Sequence, residues 1–387
     1  MSKSKITKIG ISAALVLALV VGVVVGGQFD FHRLLAGLSL DPPQLIPNGK
    51  GQIGTGIGVV HPAPAVVCTG KGLFSQFLAV AGAGGQIGSE LVTYLRGIYG
   101  GSNAIAADLR EPANPVIDGP SVKLDVLDKS AFSYIVHKNS VDTIFNLVAL
   151  LSATGEKNPQ LAWNINMGAL NNSLEVAREY NCAVFTPSSI GAFGGDFPRD
   201  KTPQDVVMQP DTMYGVCKVT GELLSNYYYT RYGVDTRSVR FPGIISNVTL
   251  PGGGTTDYAV EIYYAAVKGE KFVCPVRDVY MDMMYMPDAL RAMVELMEAD
   301  PNKLRHRNSF NIASMSFTPD IIYNEIRKRI PDFKMTYRID PIKQGIAEGW
   351  PNSLDDTCAR EEWGWKPQWD LSSMTDDMLA AIRKKNL

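Results

Sequence analysis

The stretch FLAVAGAGGQIGS, residues 77–89, decides the fold. Its first five residues are an apolar run that predicts a buried strand, and a helical pattern follows the last glycine. Between them, three glycines are spaced G-x-x-G-x-x-G, which permits a tight turn and a close approach of backbone N–H groups to a phosphate. The order strand, glycine loop and helix therefore predicts a site for the pyrophosphate of a dinucleotide. The predicted binding residues of this loop are Gly82, Gly85, Gln86, Ile87 and Gly88.

Beyond this stretch, apolar segments of strand length alternate with helical segments as far as residue 240. Such alternation predicts an α/β fold, here a doubly wound, Rossmann-type parallel sheet. After residue 241 the alternation loosens, and we expect a smaller C-terminal unit that binds the substrate and covers the open edge of the sheet. The predicted strands are 77–81, 104–107, 122–124, 143–147, 183–186, 236–240 and 310–312. The predicted helices are 89–99, 129–138, 161–180, 213–232, 258–268 and 288–298.

An acidic residue ends the second predicted strand, twenty residues after the last glycine of the loop. Asp108 suits the hydroxyls of an adenosine ribose, and its charge repels a 2′-phosphate, which favours NAD over NADP. Arg110 lies two residues further on, and its positive charge weakens the preference for NAD over NADP. Asp125 and Val126 follow the third strand and predict contacts with the adenine, although a surface position for Asp125 is about equally compatible with the pattern.

A tyrosine and a lysine four residues apart lie on the helix that follows the fifth strand. In an α-helix this spacing brings Tyr214 and Lys218 together on one face. The phenol of a tyrosine ordinarily ionises with a pKa of about 10, too high for a general base at neutral pH. A nearby ammonium favours the phenolate, and so does the cationic ring of an oxidised nicotinamide. The pair therefore predicts a catalytic base beside NAD⁺.

A serine pair closes the fifth predicted strand, where ligands of open α/β sheets bind. We expect the hydroxyl of Ser189 to hold the substrate oxygen while Tyr214 takes its proton. Ser188 can exchange roles with Ser189, and either serine can instead cap a helical turn.

Composition excludes several classes of function. The chain has 387 residues, 45% of them hydrophobic, and a formal net charge of −2, so no overall basic excess points to nucleic acid. Its five cysteines and four histidines are scattered, and no zinc-ligand spacing appears in the sequence. We therefore predict no metal in the active site, while a site assembled from residues distant in sequence stays open.

The N-terminal segment differs from the rest of the chain. Three lysines precede the uncharged run 9–27, which is intermediate in length between a signal peptide and a membrane-spanning helix. Residues 1–28 are thus compatible with a cleaved signal, a signal-anchor or an unusually apolar organelle presequence, and membrane contact is expected only through 9–27. Residues 29–75 are rich in glycine and proline and predict a disordered linker. We place the dinucleotide-binding domain at 76–245 and the C-terminal unit at 246–387.

Several segments resemble the short-chain type of L-threonine 3-dehydrogenase, within the extended short-chain dehydrogenase/reductase superfamily. The resemblance extends over about residues 77–385, and its most specific segment is Pro251-Gly-Gly-Gly-Thr-Thr-Asp-Tyr-Ala259. The other matching segments are Ala149-Leu-Leu-Ser-Ala-Thr-Gly-Glu156, Pro187-Ser-Ser-Ile-Gly-Ala-Phe-Gly194, Tyr214-Gly-Val-Cys-Lys218, Arg240-Phe-Pro-Gly-Ile-Ile-Ser246 and Trp363-Gly-Trp365.

The resemblance implies oxidation of the C3 hydroxyl of L-threonine by NAD⁺, which gives 2-amino-3-oxobutanoate on the way to glycine. It implies that Tyr214 is the base, that Lys218 assists it and holds the nicotinamide ribose, and that Ser189 orients the hydroxyl. It also implies a homodimer and, by likeness to eukaryotic members, a mitochondrial location; a membrane anchor or the secretory pathway is the alternative. The remaining implied contacts are Ile244 with the nicotinamide, and Ser152, Thr255 and Thr256 with the amino-acid end of the substrate.

Two other functions stay open on the same scaffold. One is a nucleotide-sugar epimerase or dehydratase that retains its NAD through the reaction cycle. The other is a dinucleotide-binding regulator without catalysis, although the presence of Tyr214, Lys218 and Ser189 argues against it.

Overall fold

The computed structural model describes residues 77–110, 118–250 and 252–385. The apolar segment 1–28 and the linker 29–75 lie outside these residues. Within the described part of the chain, no helix is both long enough and apolar enough to cross a bilayer.

Short strands make up the sheets of the described residues. In chain order they are β1 (Leu78–Ala81), β2 (Ala104–Asp108), β3 (Ser121–Lys123), β4 (Thr143–Asn146), β5 (Ala183–Phe185), β6 (Ser188–Ser189), β7 (Thr236–Arg237), β8 (Val239–Phe241), β9 (Gly243–Ile245), β10 (Phe272–Cys274), β11 (Met281–Tyr285), β12 (Phe310–Asn311), β13 (Met315–Phe317) and β14 (Met335–Tyr337). Six of them form the main sheet in the order β3-β2-β1-β4-β5-β7, and all of its neighbouring pairs are parallel. The strand order reverses between β1 and β4, so a crevice opens at the carboxyl ends of these two strands.

Helices connect the strands. They are α1 (Gln86–Tyr99), α2 (Lys129–Lys138), α3 (Ser152–Lys157), α4 (Pro159–Tyr180), α5 (Met213–Tyr232), α6 (Tyr258–Lys268), α7 (Met286–Glu298), α8 (Pro319–Arg327), α9 (Pro341–Gly349), α10 (Thr357–Trp363) and α11 (Leu371–Arg383). The ends of α5 show why a local pattern predicts it well. The hydroxyl of Thr212 accepts the N–H of Gly215 at its start, and Gly233, with φ of +72°, ends it in the left-handed conformation.

Successive residues of β1 face opposite sides of the sheet, because side chains alternate along a strand. Leu78 and Val80 belong to an apolar cluster that includes residues of α1 and α7. Ala79 and Ala81 belong to a different cluster, which includes residues of α2 and α4. The sheet is therefore covered on both faces, which confirms the predicted doubly wound α/β fold.

One predicted strand, 236–240, is wrong, because the chain changes partner in its middle. β7 pairs with β5, whereas β8 pairs with β6 and β12. Ser238 lies between them, and its N–H donates to the carbonyl of Arg307 at 2.8 Å instead of continuing the ladder with β5. The switch brings the serines of β6 and the arginine of β8 next to each other at the end of the main sheet.

The later part of the chain contains more structure than the sequence pattern indicated. β11 lies between β9 and the antiparallel β13, and β10 pairs with β14. A third apolar cluster joins residues of α6, β11, α8 and α11. The predicted boundary between the two domains lies between residues 245 and 246, directly after β9. Because β9 pairs with β11, which lies beyond that boundary, the boundary stays a prediction.

Candidate active site

A cleft of about 260 Å³ opens where β1, β4 and β5 end. The glycine loop forms one wall, the first turns of α5 form a second, and the loop before α6 closes the far end. The structure brings most of the predicted site residues together here. Those that line the cleft are Gly82, Gly85, Gln86, Ile87, Gly88, Ser152, Ser189, Tyr214, Lys218, Ile244, Thr255 and Thr256.

The glycine loop packs too tightly for larger residues at two positions. Gly82 has φ of +85°, in the left-handed region. A Cβ on Gly88 would lie only 2.1 Å from the carbonyl oxygen of Gly82, so α1 approaches the loop without space for a side chain. This close approach aims the N-terminus of α1, with its unpaired N–H groups and positive end of the helix dipole, at the cleft.

Two polar atoms that face this cleft have no partner in the described residues. The side-chain nitrogen of Gln86 and the hydroxyl of Thr186 are buried, and neither makes a hydrogen bond there. Buried polar groups without partners cost free energy unless a ligand or water satisfies them. Together with the helix terminus, these atoms fit a polar, anionic ligand such as NAD.

Asp108 lies at the end of β2, beside the glycine loop. Its Oδ2 accepts the N–H of Gly84 at 2.9 Å, and its Oδ1 accepts the N–H of Arg110 at 3.2 Å. The carboxylate is thus fixed at the rim beyond the loop rather than among the residues that line the cleft. This is where a ribose attached to a pyrophosphate on α1 is expected.

Replacement of Asp108 by asparagine is expected to raise the dissociation constant for NAD by about tenfold or more, since a hydrogen bond to a charged group contributes roughly 1.5–3 kcal/mol. The loss of affinity is expected to be smaller for NADP, because the substitution also removes the negative charge that repels its 2′-phosphate. Titration of both cofactors by protein fluorescence measures the two constants. The matched control is Asp332→Asn, at an exposed aspartate outside the cleft; equal losses in both variants, or no change in Asp108→Asn, would contradict this role.

The other predicted adenosine contacts are not brought into the cleft. Asp125 is exposed, and its Oδ1 accepts the N–H of Leu127 at 2.9 Å in a local turn. Val126 is buried, and its carbonyl accepts a hydrogen bond from Asn172 at 2.8 Å. Arg110 is exposed at the end of the described segment 77–110. The part of these three residues in cofactor binding stays a prediction.

The tyrosine and the lysine of α5 meet as their spacing predicts. The Nζ of Lys218 lies 5.3 Å from the centre of the Tyr214 ring and donates to the carbonyl of Pro187 at 2.6 Å. That carbonyl belongs to the segment between β5 and β6. The ammonium is therefore held between the strand end and the phenol, and Tyr214 itself is only 9% exposed.

The two serines of β6 have different partners. The Oγ of Ser189 accepts the N–H of Gly191 at 3.0 Å and caps a short 3₁₀ turn, which leaves its own proton free to donate. A Cβ on Gly191 would lie 3.0 Å from the ring of Tyr214 and 3.4 Å from the Oγ of Ser189. The phenol ring and this hydroxyl therefore flank the same small glycine.

Ser188 faces a buried ion pair that the sequence analysis did not identify. Its hydroxyl donates to Glu222, which lies four residues after Lys218 on α5. Glu222 pairs with Arg240 of β8 through two hydrogen bonds of 3.0 and 2.8 Å, and both side chains are at most 7% exposed. The hydroxyl of Ser309 donates to the same carboxylate at 3.2 Å. The signal was present, because Glu222 continues the helical face of Tyr214 and Lys218.

The far end of the cleft is lined by small hydroxyl side chains. The hydroxyls of Ser152 and Thr255 lie 3.3 Å apart, and both residues are buried. Thr256 also lines the cleft, and its methyl carbon lies 2.7 Å from where a Cβ on Gly243 would stand. Trp350, which follows α9, lines the cleft as well.

A carboxylate holds the loop at this end. The Oδ2 of Asp257 accepts the N–H groups of Gly253 and Gly254 at 3.0 and 2.9 Å. Burial raises the pKa of Asp257 above its usual range, and these two N–H groups oppose part of the rise. Gly253 has φ of +97°, so the loop needs a glycine there to bring both N–H groups to one oxygen.

Stability is expected to depend on pH through a glutamate of α1. Burial raises the pKa of Glu90 to about 7, while the hydroxyl of Ser246 and the charge of Lys385 oppose part of the rise. An unfolded glutamate has a pKa of about 4.3, so the folded state binds more protons between the two values. The stabilising contribution is therefore complete below about pH 4.3 and is lost as the pH rises through about 7.

In Glu90→Gln this loss is absent. Between about pH 4.3 and 8, the free energy of unfolding of the variant is expected to gain about 3–4 kcal/mol relative to the parent. Urea unfolding at a series of pH values measures the difference, and the same substitution at exposed Glu270 is the control. A difference that does not change with pH would contradict the buried, proton-binding state of Glu90.

The model of the NAD dependent epimerase/dehydratase family matches residues 78–313. An uncharacterised epimerase/dehydratase of Staphylococcus haemolyticus is 54% identical over 311 residues, which are 80% of this chain and 98% of that protein.

Two solved structures are similar at comparable identity. L-threonine dehydrogenase from Clostridium difficile is 53% identical with a TM-score of 0.78, over 80% of this chain and 98% of the other. The holo form of the GalE-like L-threonine dehydrogenase from Cupriavidus necator is 48% identical with a TM-score of 0.77, over 79% and 99%.

The mitochondrial location that we expected is wrong. The curated relatives at 54% identity are proteins of Staphylococcus, and bacteria have no mitochondria. The expectation was taken from eukaryotic relatives and not from any residue of this chain. The alternative, an anchored or secreted protein, depended on residues 9–27, which lie outside the described residues.

The family match covers the glycine loop, β6 and the face of α5 that carries Tyr214 and Lys218, and the relatives are matched over almost their whole length. The cleft is lined by the glycine loop and by the Tyr214 and Lys218 pair of α5. The chain therefore belongs to the NAD-dependent epimerase/dehydratase family and is an NAD-using enzyme of the short-chain dehydrogenase/reductase type.

Proposed function

We propose that the protein oxidises the C3 hydroxyl of L-threonine to a ketone, giving 2-amino-3-oxobutanoate. The observation that carries this proposal is the meeting of Tyr214, Lys218 and Ser189 in one cleft with the glycine loop. The similarity to L-threonine dehydrogenases, at 48% and 53% identity, supports the choice of substrate.

Proton transfer is assigned to Tyr214. Ser189 donates its free proton to the substrate oxygen and so places the C3 hydroxyl beside the phenol. The Lys218 ammonium, held by the carbonyl of Pro187, stabilises the phenolate that removes the hydroxyl proton. NAD⁺ held by the glycine loop and Lys218 would supply the acceptor for the hydride that leaves C3 as the carbonyl forms. The products are the ketone, NADH and a proton on Tyr214 that returns to water.

Recognition of the amino-acid end is assigned to the buried hydroxyls. Ser152 and Thr255 lie 3.3 Å apart, and Thr256 lies on the same wall. Hydroxyls donate to a carboxylate and accept from an ammonium, so this group matches a small zwitterion. The indole of Trp350 limits the length of the substrate at this end.

The chemistry of the product determines which class of reaction must follow this one. A 2-amino-3-oxo acid loses CO₂ readily, because the ketone stabilises the carbanion that forms. Conversion to glycine therefore requires a second enzyme that cleaves the C2–C3 bond with a thiol such as coenzyme A. We place this protein at the first step of such a sequence, in threonine breakdown.

The test is NADH formation by the purified full chain with L-threonine, D-threonine, L-serine and UDP-sugars. We expect NADH with L-threonine and much less with D-threonine, whose C3 hydroxyl is displaced when its ammonium and carboxylate are held. Conversion of a UDP-sugar without net NADH would instead show an epimerase, which recycles its cofactor. Tight binding of NAD with no turnover on any substrate would show a non-catalytic regulator.

We also propose a homodimer through α4 and α5, as the resemblance implied. Leu161 and Trp163 of α4 and Leu223 and Tyr227 of α5 expose between 37% and 64% of their surface. Exposed apolar groups on neighbouring helices are typical of an interface. Sedimentation equilibrium is expected to give twice the chain mass, and Leu223→Glu to give the single mass. A parent that sediments as a monomer would exclude this interface.

A further inference from the structure

Three metal-ligating side chains meet away from the cleft. His306 precedes β12, and Cys358 and Glu362 lie four residues apart on α10. One nitrogen, one sulfur and one oxygen from these residues lie within 4.8 Å of one another. We propose that this cluster binds a divalent transition-metal ion, with Zn²⁺ as the best match.

The helix supplies two ligands from one face. Residues four apart on an α-helix project in the same direction, so Cys358 and Glu362 reach the same point in space. His306 lies in the segment that leads into β12, and α10 packs against β12. A metal at this point would therefore join α10 to a strand next to β8.

The carboxylate is already oriented for a single bond to a metal. The Oε2 of Glu362 accepts the N–H groups of Arg305 at 2.5 Å and His306 at 3.2 Å. Its Oε1 faces the Nδ1 of His306 at 2.5 Å. With Oε2 occupied by the backbone, Oε1 is the oxygen available to an ion, and Glu362 is only 3% exposed in its side chain.

The imidazole has a carboxylate on its other side. The Nε2 of His306 lies 3.5 Å from the Oδ2 of Asp205. A histidine that binds a metal usually donates its second ring N–H to a carboxylate or carbonyl, which fixes the ring and raises its basicity. Asp205 is placed to accept this hydrogen bond when Nδ1 binds the ion.

The donor set indicates which ion fits. One thiolate, one imidazole and one carboxylate suit Zn²⁺, whereas Mg²⁺ and Ca²⁺ prefer oxygen alone. Binding releases the thiol proton of Cys358 and needs the imidazole of His306 in the form that carries its proton on Nε2. The thiolate and the carboxylate then balance the two positive charges of the ion, and water completes the four-coordinate shell.

Metal binding requires a small movement of the ligand side chains. Two ligands at about 2.0–2.2 Å from a tetrahedral ion lie roughly 3.4 Å apart, so Nδ1 and Oε1 must separate by about 1 Å. The guanidinium of Arg305, 3.4 Å from Oε1, must also leave that oxygen. Its side chain is 72% exposed, so it turns into water without breaking a buried contact.

The test uses the full chain, free of any affinity tag and treated with a chelator. Titration with Co²⁺ is expected to give a thiolate-to-metal charge-transfer band that saturates at one equivalent, and Zn²⁺ is expected to abolish it. Zn²⁺ at about 100 times its dissociation constant is also expected to raise the melting temperature by about 3–6 °C.

Cys358→Ser is expected to lose the band and the thermal shift while it keeps NADH formation, because none of the three ligands lines the cleft. His306→Asn is the second test variant, so the proposal does not depend on one substitution. Glu361→Gln, the exposed neighbour on α10, and His137→Asn are the controls and are expected to behave as the parent. No charge-transfer band, or a band that persists in Cys358→Ser, would overturn the proposal.

Discussion

Tyr214→Phe is expected to lower kcat for NADH formation by about 10²–10⁴-fold, the usual contribution of a general acid or base. The change removes one oxygen and keeps the ring that packs beside Gly191. The dissociation constant for NAD is therefore expected to change little, since the glycine loop and Asp108 are untouched. Steady-state NADH formation and cofactor titration measure the two effects separately.

Tyr232→Phe, at the end of the same helix, is the matched control and is expected to keep full activity. Lys218→Met is expected to lower kcat and also to weaken NAD, because the resemblance gives its ammonium a ribose contact. A Tyr214→Phe enzyme with more than about a tenth of the parent rate would show that the phenol is not the base.

The second large effect is on stability. Glu222→Gln is expected to lower the free energy of unfolding by about 3–5 kcal/mol, because it leaves the charge of Arg240 buried without its partner. The pair is at most 7% exposed, and Ser188 and Ser309 share the same carboxylate. Urea unfolding followed by circular dichroism measures the loss.

The control for Glu222 is Glu175→Gln. Glu175 pairs with Arg178 on the surface of α4, where an ion pair contributes at most about 1 kcal/mol. The double variant Glu222→Leu/Arg240→Met is expected to be more stable than either single variant, because it leaves no unpaired charge. Equal losses for Glu222→Gln and Glu175→Gln would contradict the buried network.

Helices with strong local signals were predicted well from the sequence. The bounds 213–232 agree with α5 because Thr212 caps its start and Gly233 ends it. The loop at Gly82–Gly88 was equally recognisable, since its glycines are required by a positive φ and by a contact of 2.1 Å. These features depend on residues that are near one another in the chain.

Features that depend on distant residues were not predicted. The split of 236–240 into β7 and β8 follows from the bond between Ser238 and Arg307, about seventy residues away. The partner of Glu222 lies on a strand whose position only the folded sheet defines. His306 and Cys358 likewise meet only through the packing of α10 on β12.

The most direct test of the account is the fate of the hydrogen at C3. L-threonine that carries deuterium at C3 is incubated with the purified protein and NAD⁺, and the reduced cofactor is analysed by mass spectrometry. Direct hydride transfer from C3 predicts NADH that carries one deuterium at C4 of the nicotinamide. Reduced cofactor without deuterium, or no reduction at all with this substrate, would contradict hydride transfer from L-threonine.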